Sequence, residues 1–181
     1  MRIIAGRLRG RRLLAPEGDA IRPTGDRARE ALFDILEHGA PPLRAAAFLD
    51  LFCGTGAVGL EAHSRGAAEV LLIDRDRAAL KLAEANIARL GAAPGVRLLA
   101  RDATLLGRAP RPFDLVFLDP PYRSGLAAAA LESLAADGWL GEGARLIVEL
   151  AARDDLGLPP AYVLERERRY GGAKFLFLRL R

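Results

Sequence analysis

Cysteine, histidine and lysine are nearly missing from this 181-residue sequence, and each scarcity excludes something. Cys53 stands alone, so no intrachain disulfide can form. His38 and His63 are the only histidines, and no cluster with metal-ligand spacing exists, which points away from a metal site. Neither histidine has a visible partner in the sequence. No apolar run is long enough to cross a bilayer. Charge interrupts every apolar stretch near Met1, so no signal-peptide pattern opens the chain. A cytoplasmic protein without membrane contact is the simplest expectation.

The shortage of lysine shapes the charge. Lys81 and Lys174 are the only two, so the 27 basic residues are almost all arginines, against 23 acids, for a net charge of +4. An arginine fork suits phosphate, and an excess of positive charge suits an anionic partner. Arg2, Arg7, Arg9, Arg11 and Arg12 crowd a start that carries no acid, and Arg22, Arg27 and Arg29 follow. A GC-rich genome or a hot habitat also favours arginine, but it explains the clustering less well than the total.

The hydrophobic fraction of 51% supports a real core, and the length suits one domain with a small appendage. Residues 1–14 read as a β-hairpin turning through Gly6 and Gly10. Residues 1–23 form the appendage, and residues 24–181 form the main domain. A helix begins near Thr24 as N-cap and ends before Gly39. Strands are expected at 47–52, 70–74, 96–100, 113–119, 145–150, 162–168 and 174–179. Helices are expected at 57–64, 77–90 and 126–136. Apolar strands alternating with helices indicate an α/β fold with a mostly parallel sheet, covered on both faces. The last two strands lack a helix between them and form an antiparallel C-terminal edge.

Gly54-Thr55-Gly56-Ala57-Val58-Gly59 follows a strand and opens a helix. Glycines there let the backbone turn tightly and approach a ligand. Asp74, twenty residues past Gly54, ends the next strand, where a carboxylate can accept hydrogen bonds from ribose hydroxyls. This arrangement suits a nucleoside cofactor, either NAD or S-adenosylmethionine. Asp50 favours the second. An acid just before the loop can serve an amino group, whereas a dinucleotide site keeps that approach clear for pyrophosphate. Asp102, after the third strand, can contact an adenine amino group or cap the segment that follows it. Phe52, Thr55, Gly56, Arg75 and Ala103 complete the candidate cofactor contacts. Cys53 lies inside this loop, where a buried thiol is the simpler role than a nucleophile.

The second motif is Asp119-Pro120-Pro121-Tyr122, at a strand end facing the same crevice. An exocyclic amine on a base is a poor nucleophile because its lone pair is delocalised. The Asp119 carboxylate and the Pro120 carbonyl can accept its N–H bonds and stabilise charge as it develops. Two prolines hold the turn in one shape, and Tyr122 can stack on the base. The target base must leave its stack to enter.

The arginine-rich start, the segment Arg22-Pro-Thr-Gly-Asp-Arg-Ala-Arg-Glu-Ala-Leu-Phe33 and the two motifs together resemble the bacterial RsmD family over nearly the whole chain. The resemblance implies a Rossmann-like seven-stranded methyltransferase fold. It implies S-adenosylmethionine as donor, S-adenosylhomocysteine as product, and methylation of guanine 966 of 16S rRNA at N2. The substrate would be the 30S subunit or an assembly intermediate. The sequence does not fix the oligomeric state, and a monomer is the default expectation. It also makes Arg22 and Thr24 candidates for lining the crevice, beside Arg7, Arg9 and Arg11 as RNA contacts. Leu8 stands where the family often has Trp, and Asp74 where Glu is common. Alternatives are an adenine-N6 methyltransferase and, more remotely, an NAD-dependent oxidoreductase or a non-catalytic RNA-binding module.

Overall fold

The computed structural model describes residues 1–16, 25–122 and 124–181. Its elements run α1 (Asp26–Glu37), β1 (Ala47–Leu51), α2 (Ala57–Ser64), β2 (Glu69–Asp74), α3 (Arg77–Leu90), β3 (Val96–Ala100), β4 (Phe113–Leu118), α4 (Leu126–Ala135), β5 (Leu140–Ala151), β6 (Tyr162–Tyr170) and β7 (Ala173–Leu180).

All seven strands form one sheet in the order β3-β2-β1-β4-β5-β7-β6. β1 to β5 are parallel, β7 is antiparallel to β5, and β6 is antiparallel to β7. The central strands are apolar on both faces because helices cover both. Phe48, Leu72, Phe117 and Ile147 point into a core shared with Leu32 and Phe33 of α1, Leu60 of α2 and Ile87 of α3. Leu49, Ile73, Val116 and Val148 point the other way, onto Ala130, Leu131 and Leu134 of α4. This period-2 alternation places every second residue of a strand on one face.

Most elements fall within two residues of the sequence reading, and three features depart further from it. β5 starts at Leu140 rather than Arg145. The added residues include Gly141 and Gly143, in an irregular stretch where Phe113 pairs with Leu140 and Leu115 with Arg145. Gly143 sits there at φ 70, a conformation glycine adopts without strain. The N-cap of α1 is Gly25, with no side-chain cap, while Thr24 lies outside the described residues. The N-terminal hairpin is reduced to one antiparallel bridge, Arg2 to Arg12, closed by short turns. Its ladder is short because its backbone bonds go elsewhere. Ile4 and Ala5 donate to Glu61 (2.7 and 2.9 Å), and Leu8 donates to Ser64 Oγ (2.9 Å). Ile3 and Leu13 are buried in the core beneath α1 to α3.

Candidate active site

The carboxyl ends of β2, β1, β4 and β5 lie side by side and bring four acids together. Strand register and alternation set this. Asp74 follows Leu72, Asp50 follows Phe48, Asp119 follows Phe117 and Glu149 follows Ile147, each two residues on and so on the same face. The row is therefore Asp74, Asp50, Asp119, Glu149.

Each of the first two is tied into the glycine loop. Asp50 is buried, and its Oδ2 accepts from Gly59 N–H at 2.9 Å, anchoring the first turn of α2. Burial pushes its pKa up to about 7, opposed by the Gly59 bond and reinforced by the charge of Asp74. Asp74 accepts from Gly54 N–H through Oδ2 and from Asp76 N–H through Oδ1, both at 2.9 Å. The loop leaves β1 through Phe52, at φ 58, and turns at Gly54 and Gly56, at φ 54 and 76. A Cβ on Gly54 would meet nothing within 4 Å, so the backbone there borders open space. Gly59 is tight instead, because a Cβ would lie 2.2 Å from Leu72 Cδ2, so its glycine lets α2 seat on β2. Thr55 is buried, and its carbonyl accepts from Asn86 Nδ2 at 3.0 Å.

These features fit an adenosyl ligand. A carboxylate is fixed at the end of β2, and the neighbouring backbone carries no side chain. Asp102 accepts from Thr104 N–H and Oγ1 and pairs with Arg75 at 2.9 Å. These bonds hold its carboxyl below the ordinary range, Thr104 contributing most. Its capping role is thus present, and Arg75 is folded over it. Ala103 is buried beneath the sheet. Cys53 is buried too, and desolvation, then the charges of Asp50 and Asp74, push its thiol far up, so no thiolate nucleophile forms.

Asp119 is different. Burial first, then the charges of Glu149 and Asp50, raise its pKa well above the carboxylate range. Among the described residues, none donates a hydrogen bond to its carboxylate, whereas Asp50, Asp74 and Asp102 are each held by backbone N–H groups. The turn behind it is braced. Pro120 is buried, and Ser124 Oγ donates to the Pro121 carbonyl at 2.6 Å at the start of α4. Tyr122 is 46% exposed at the rim.

The N-terminal arginines are exposed, though two are partly engaged. The Arg7 guanidinium contacts the His63 ring, and Arg11 donates to the Arg89 carbonyl at 2.6 Å. No bond to Arg9 side-chain nitrogens is found among the described residues. Leu8 packs against the core. Both histidines have partners after all. His63 is buried beside Arg7, and burial, then that charge, lowers its pKa. His38 Nδ1 lies 2.7 Å from the Asp34 carbonyl. The sequence hid these because both partnerships are made by backbone placement or by the folded-over arm. Arg22 lies outside the described residues.

Sequence reasoning missed Glu149, Glu61, Ser64 and Asn86. Glu149 had a signal: it interrupts the buried run Leu146-Ile147-Val148-Glu149-Leu150, where an acid needs a reason. Among the described residues there is no cluster of His, Cys, Asp and Glu able to hold a metal, and no helix long and apolar enough to cross a membrane.

A glycine loop after β1, an acid ending β2 and Asp-Pro-Pro-Tyr after β4, set on this seven-stranded sheet, define a methyltransferase of the Rossmann-like class. The chain belongs to the family described as conserved hypothetical protein 95, the RsmD family, whose profile matches residues 1–179. It is 40% identical over 169 residues to ribosomal RNA small subunit methyltransferase D of Escherichia coli K12, covering 93% of this chain and 84% of that one. The enzyme of the same name from Haemophilus influenzae is 34% identical over 175 residues, covering 94% and 89%. Among solved structures, the putative methyltransferase yhhF from Escherichia coli superposes with a TM-score of 0.85 at 39% identity, covering 99% of this chain and 97% of that one. The chain is accordingly an enzyme, a methyltransferase.

Proposed function

We propose that this enzyme transfers a methyl group from S-adenosylmethionine to N2 of a guanine in 16S rRNA, within the small subunit or a particle assembling into it. The observation that carries the reading is the Asp119 carboxylate, buried beside Glu149 and Asp50 at the end of β4 and followed by a braced proline turn. The relatives' names support ribosomal RNA of the small subunit as substrate. The guanine, its N2 atom and position 966 rest on the family resemblance.

In this reading Asp74 receives the ribose hydroxyls, while Gly54, Thr55 and Gly56 let the donor lie close to the backbone. Asp50 and Phe52 border its methionine end, and Arg75, Asp102 and Ala103 border the adenine. The bound donor supplies a methyl group on a sulfonium that leaves as a neutral thioether. Asp119 and the Pro120 carbonyl accept the amine N–H bonds and localise the nitrogen lone pair, which the delocalised amine otherwise withholds. Pro121 fixes the turn, and Tyr122 stacks on the unstacked base. Positioning of the two reactants supplies much of the remaining acceleration. Residues 1–23 act as the RNA-contacting arm of the 24–181 domain, with Arg7, Arg9 and Arg11 meeting phosphates; Arg22 and Thr24, outside the described residues, are candidate RNA contacts on the family resemblance alone.

Asp119→Ala tests the assignment. Methyl transfer to small subunits should fall by about 10²-fold or more, the scale of losing a transition-state acceptor. S-adenosylhomocysteine should still protect the variant from heat as it protects the parent. Wild-type turnover in the variant contradicts the assignment.

A further inference from the structure

Glu149 is the one member of the acid row that the methyl-transfer scheme leaves without a task. It is buried, and it sits on β5 just beyond the paired residues Leu118 and Val148, where the next residue of β4 is Asp119. Both point to the α1–α3 face, as Phe117 and Ile147 before them do. Burying a carboxylate in a strand interior is expensive, and an apolar residue would fill the position more cheaply.

We infer that Glu149 is a positioning residue for methyl transfer, whose buried carboxylate beside Asp119 makes Asp119 a stronger acceptor for the proton that the target amine must lose. The inference rests on the methyl-transfer reading above. The nitrogen–methyl bond forms as the sulfonium–methyl bond breaks, and the two electrons of that broken bond stay on sulfur. The methylated nitrogen then carries one proton too many, and Asp119 takes it. A neighbouring negative charge strengthens a carboxylate as a base, because protonation relieves the repulsion. A stronger base accepts earlier along the reaction.

The surroundings leave this effect to few groups. β1 presents Asp50, which is tied to Gly59, and β2 presents Asp74 beyond it. The turn itself carries Tyr122. β7 presents Phe175 opposite Glu149, while Lys174 faces the other side of the sheet with Leu150. On α2, Glu61 and His63 are engaged with the N-terminal arm, and Arg29 of α1 bonds to Asp26 and the Arg2 carbonyl. Glu149 is the neighbour that raises Asp119 most after burial itself.

The test is the pH dependence of kcat for the full chain with small ribosomal subunits and labelled S-adenosylmethionine. In Glu149→Gln the acidic limb of the profile should move down by roughly one pH unit, because Asp119 loses a repelling neighbour. The plateau should fall about threefold, because the base is weaker. Affinity for S-adenosylhomocysteine should stay within about twofold. Glu149→Asp keeps the charge and should keep the wild-type limb. A Gln variant whose limb does not move overturns the inference while leaving the methyltransferase reading intact. So does a Glu149→Asp limb that moves as far as that of Glu149→Gln, since that would be a packing effect. Absence of methyl transfer by the wild-type chain overturns both.

Discussion

Replacing Glu61 with alanine should loosen the N-terminal arm and destabilise the whole fold. Glu61 is fully buried on α2. Its Oε2 accepts from Ile4 N–H at 2.7 Å, and its Oε1 accepts from Ala5 N–H at 2.9 Å and from Arg65 Nε at 2.8 Å. Arg29 Nε lies 3.9 Å away, also fully buried. Alanine strands two backbone donors, at about 1–3 kcal/mol each, and leaves buried guanidinium groups short of a partner, for which about 3–5 kcal/mol is typical. These costs overlap, and water entering the gap recovers part, so a net loss of about 4–6 kcal/mol is expected. For a domain of this size each kcal/mol moves Tm by about 2–4 °C, which makes the drop roughly 10–20 °C. Calorimetry measures it. Amide exchange at Ile4, Ala5 and Leu8 locates it, and those amides should lose protection before the sheet does. RNA affinity should fall with them, because the arginines of residues 7–11 lose their mount. A drop under about 3 °C with the arm amides still protected refutes the claim that Glu61 docks the arm.

Asp50→Asn should raise stability at pH 8 and leave it unchanged near pH 3. The folded-state pKa of about 7 lies above the ordinary 3.8, so the native state holds the extra proton. The acid's unfavourable contribution therefore grows as pH rises from about 4 to 7 and is fully present above it. Its size is about 2–4 kcal/mol, and Tm against pH for parent and variant reads it. Gly59→Ala should cost about 1–3 kcal/mol by overpacking α2 against Leu72 and Val70, which urea unfolding measures. Arg9→Ala should weaken RNA binding and lower the salt slope by about one unit, with cofactor affinity unchanged, since Arg9 carries no internal side-chain bond among the described residues.

Much of the fold was legible because the strands that matter are short, apolar and bounded. β3, α2 and α3 begin and end where pattern and caps place them, with Asp76 capping α3 and Gly91 closing it at φ 65. The glycine loop and the proline turn were legible because each sits at a strand end, where an open α/β sheet gathers its ligands. What stayed hidden depends on tertiary docking. The N-terminal arm folds over Glu61, Ser64 and Asn86 on α2 and α3 and makes them buried acceptors and donors. Asn86 bonds both to Leu14, where the arm ends, and to the Thr55 carbonyl of the glycine loop. No periodicity in the sequence announces such a link. Glu149 was hidden differently. Its neighbour Asp119 is thirty residues away in sequence, and only the β4–β5 register brings the two together.

The proposed activity of this chain is methylation of the exocyclic amine of a guanine in small-subunit RNA. Its most direct test is to incubate the protein with labelled S-adenosylmethionine and small subunits that lack the modification, then digest the RNA to nucleosides and resolve the label by mass. Label should appear in N2-methylguanosine, one methyl per particle, and none with Asp119→Ala. Label in N6-methyladenosine, in a ring-carbon methyl or in protein contradicts it.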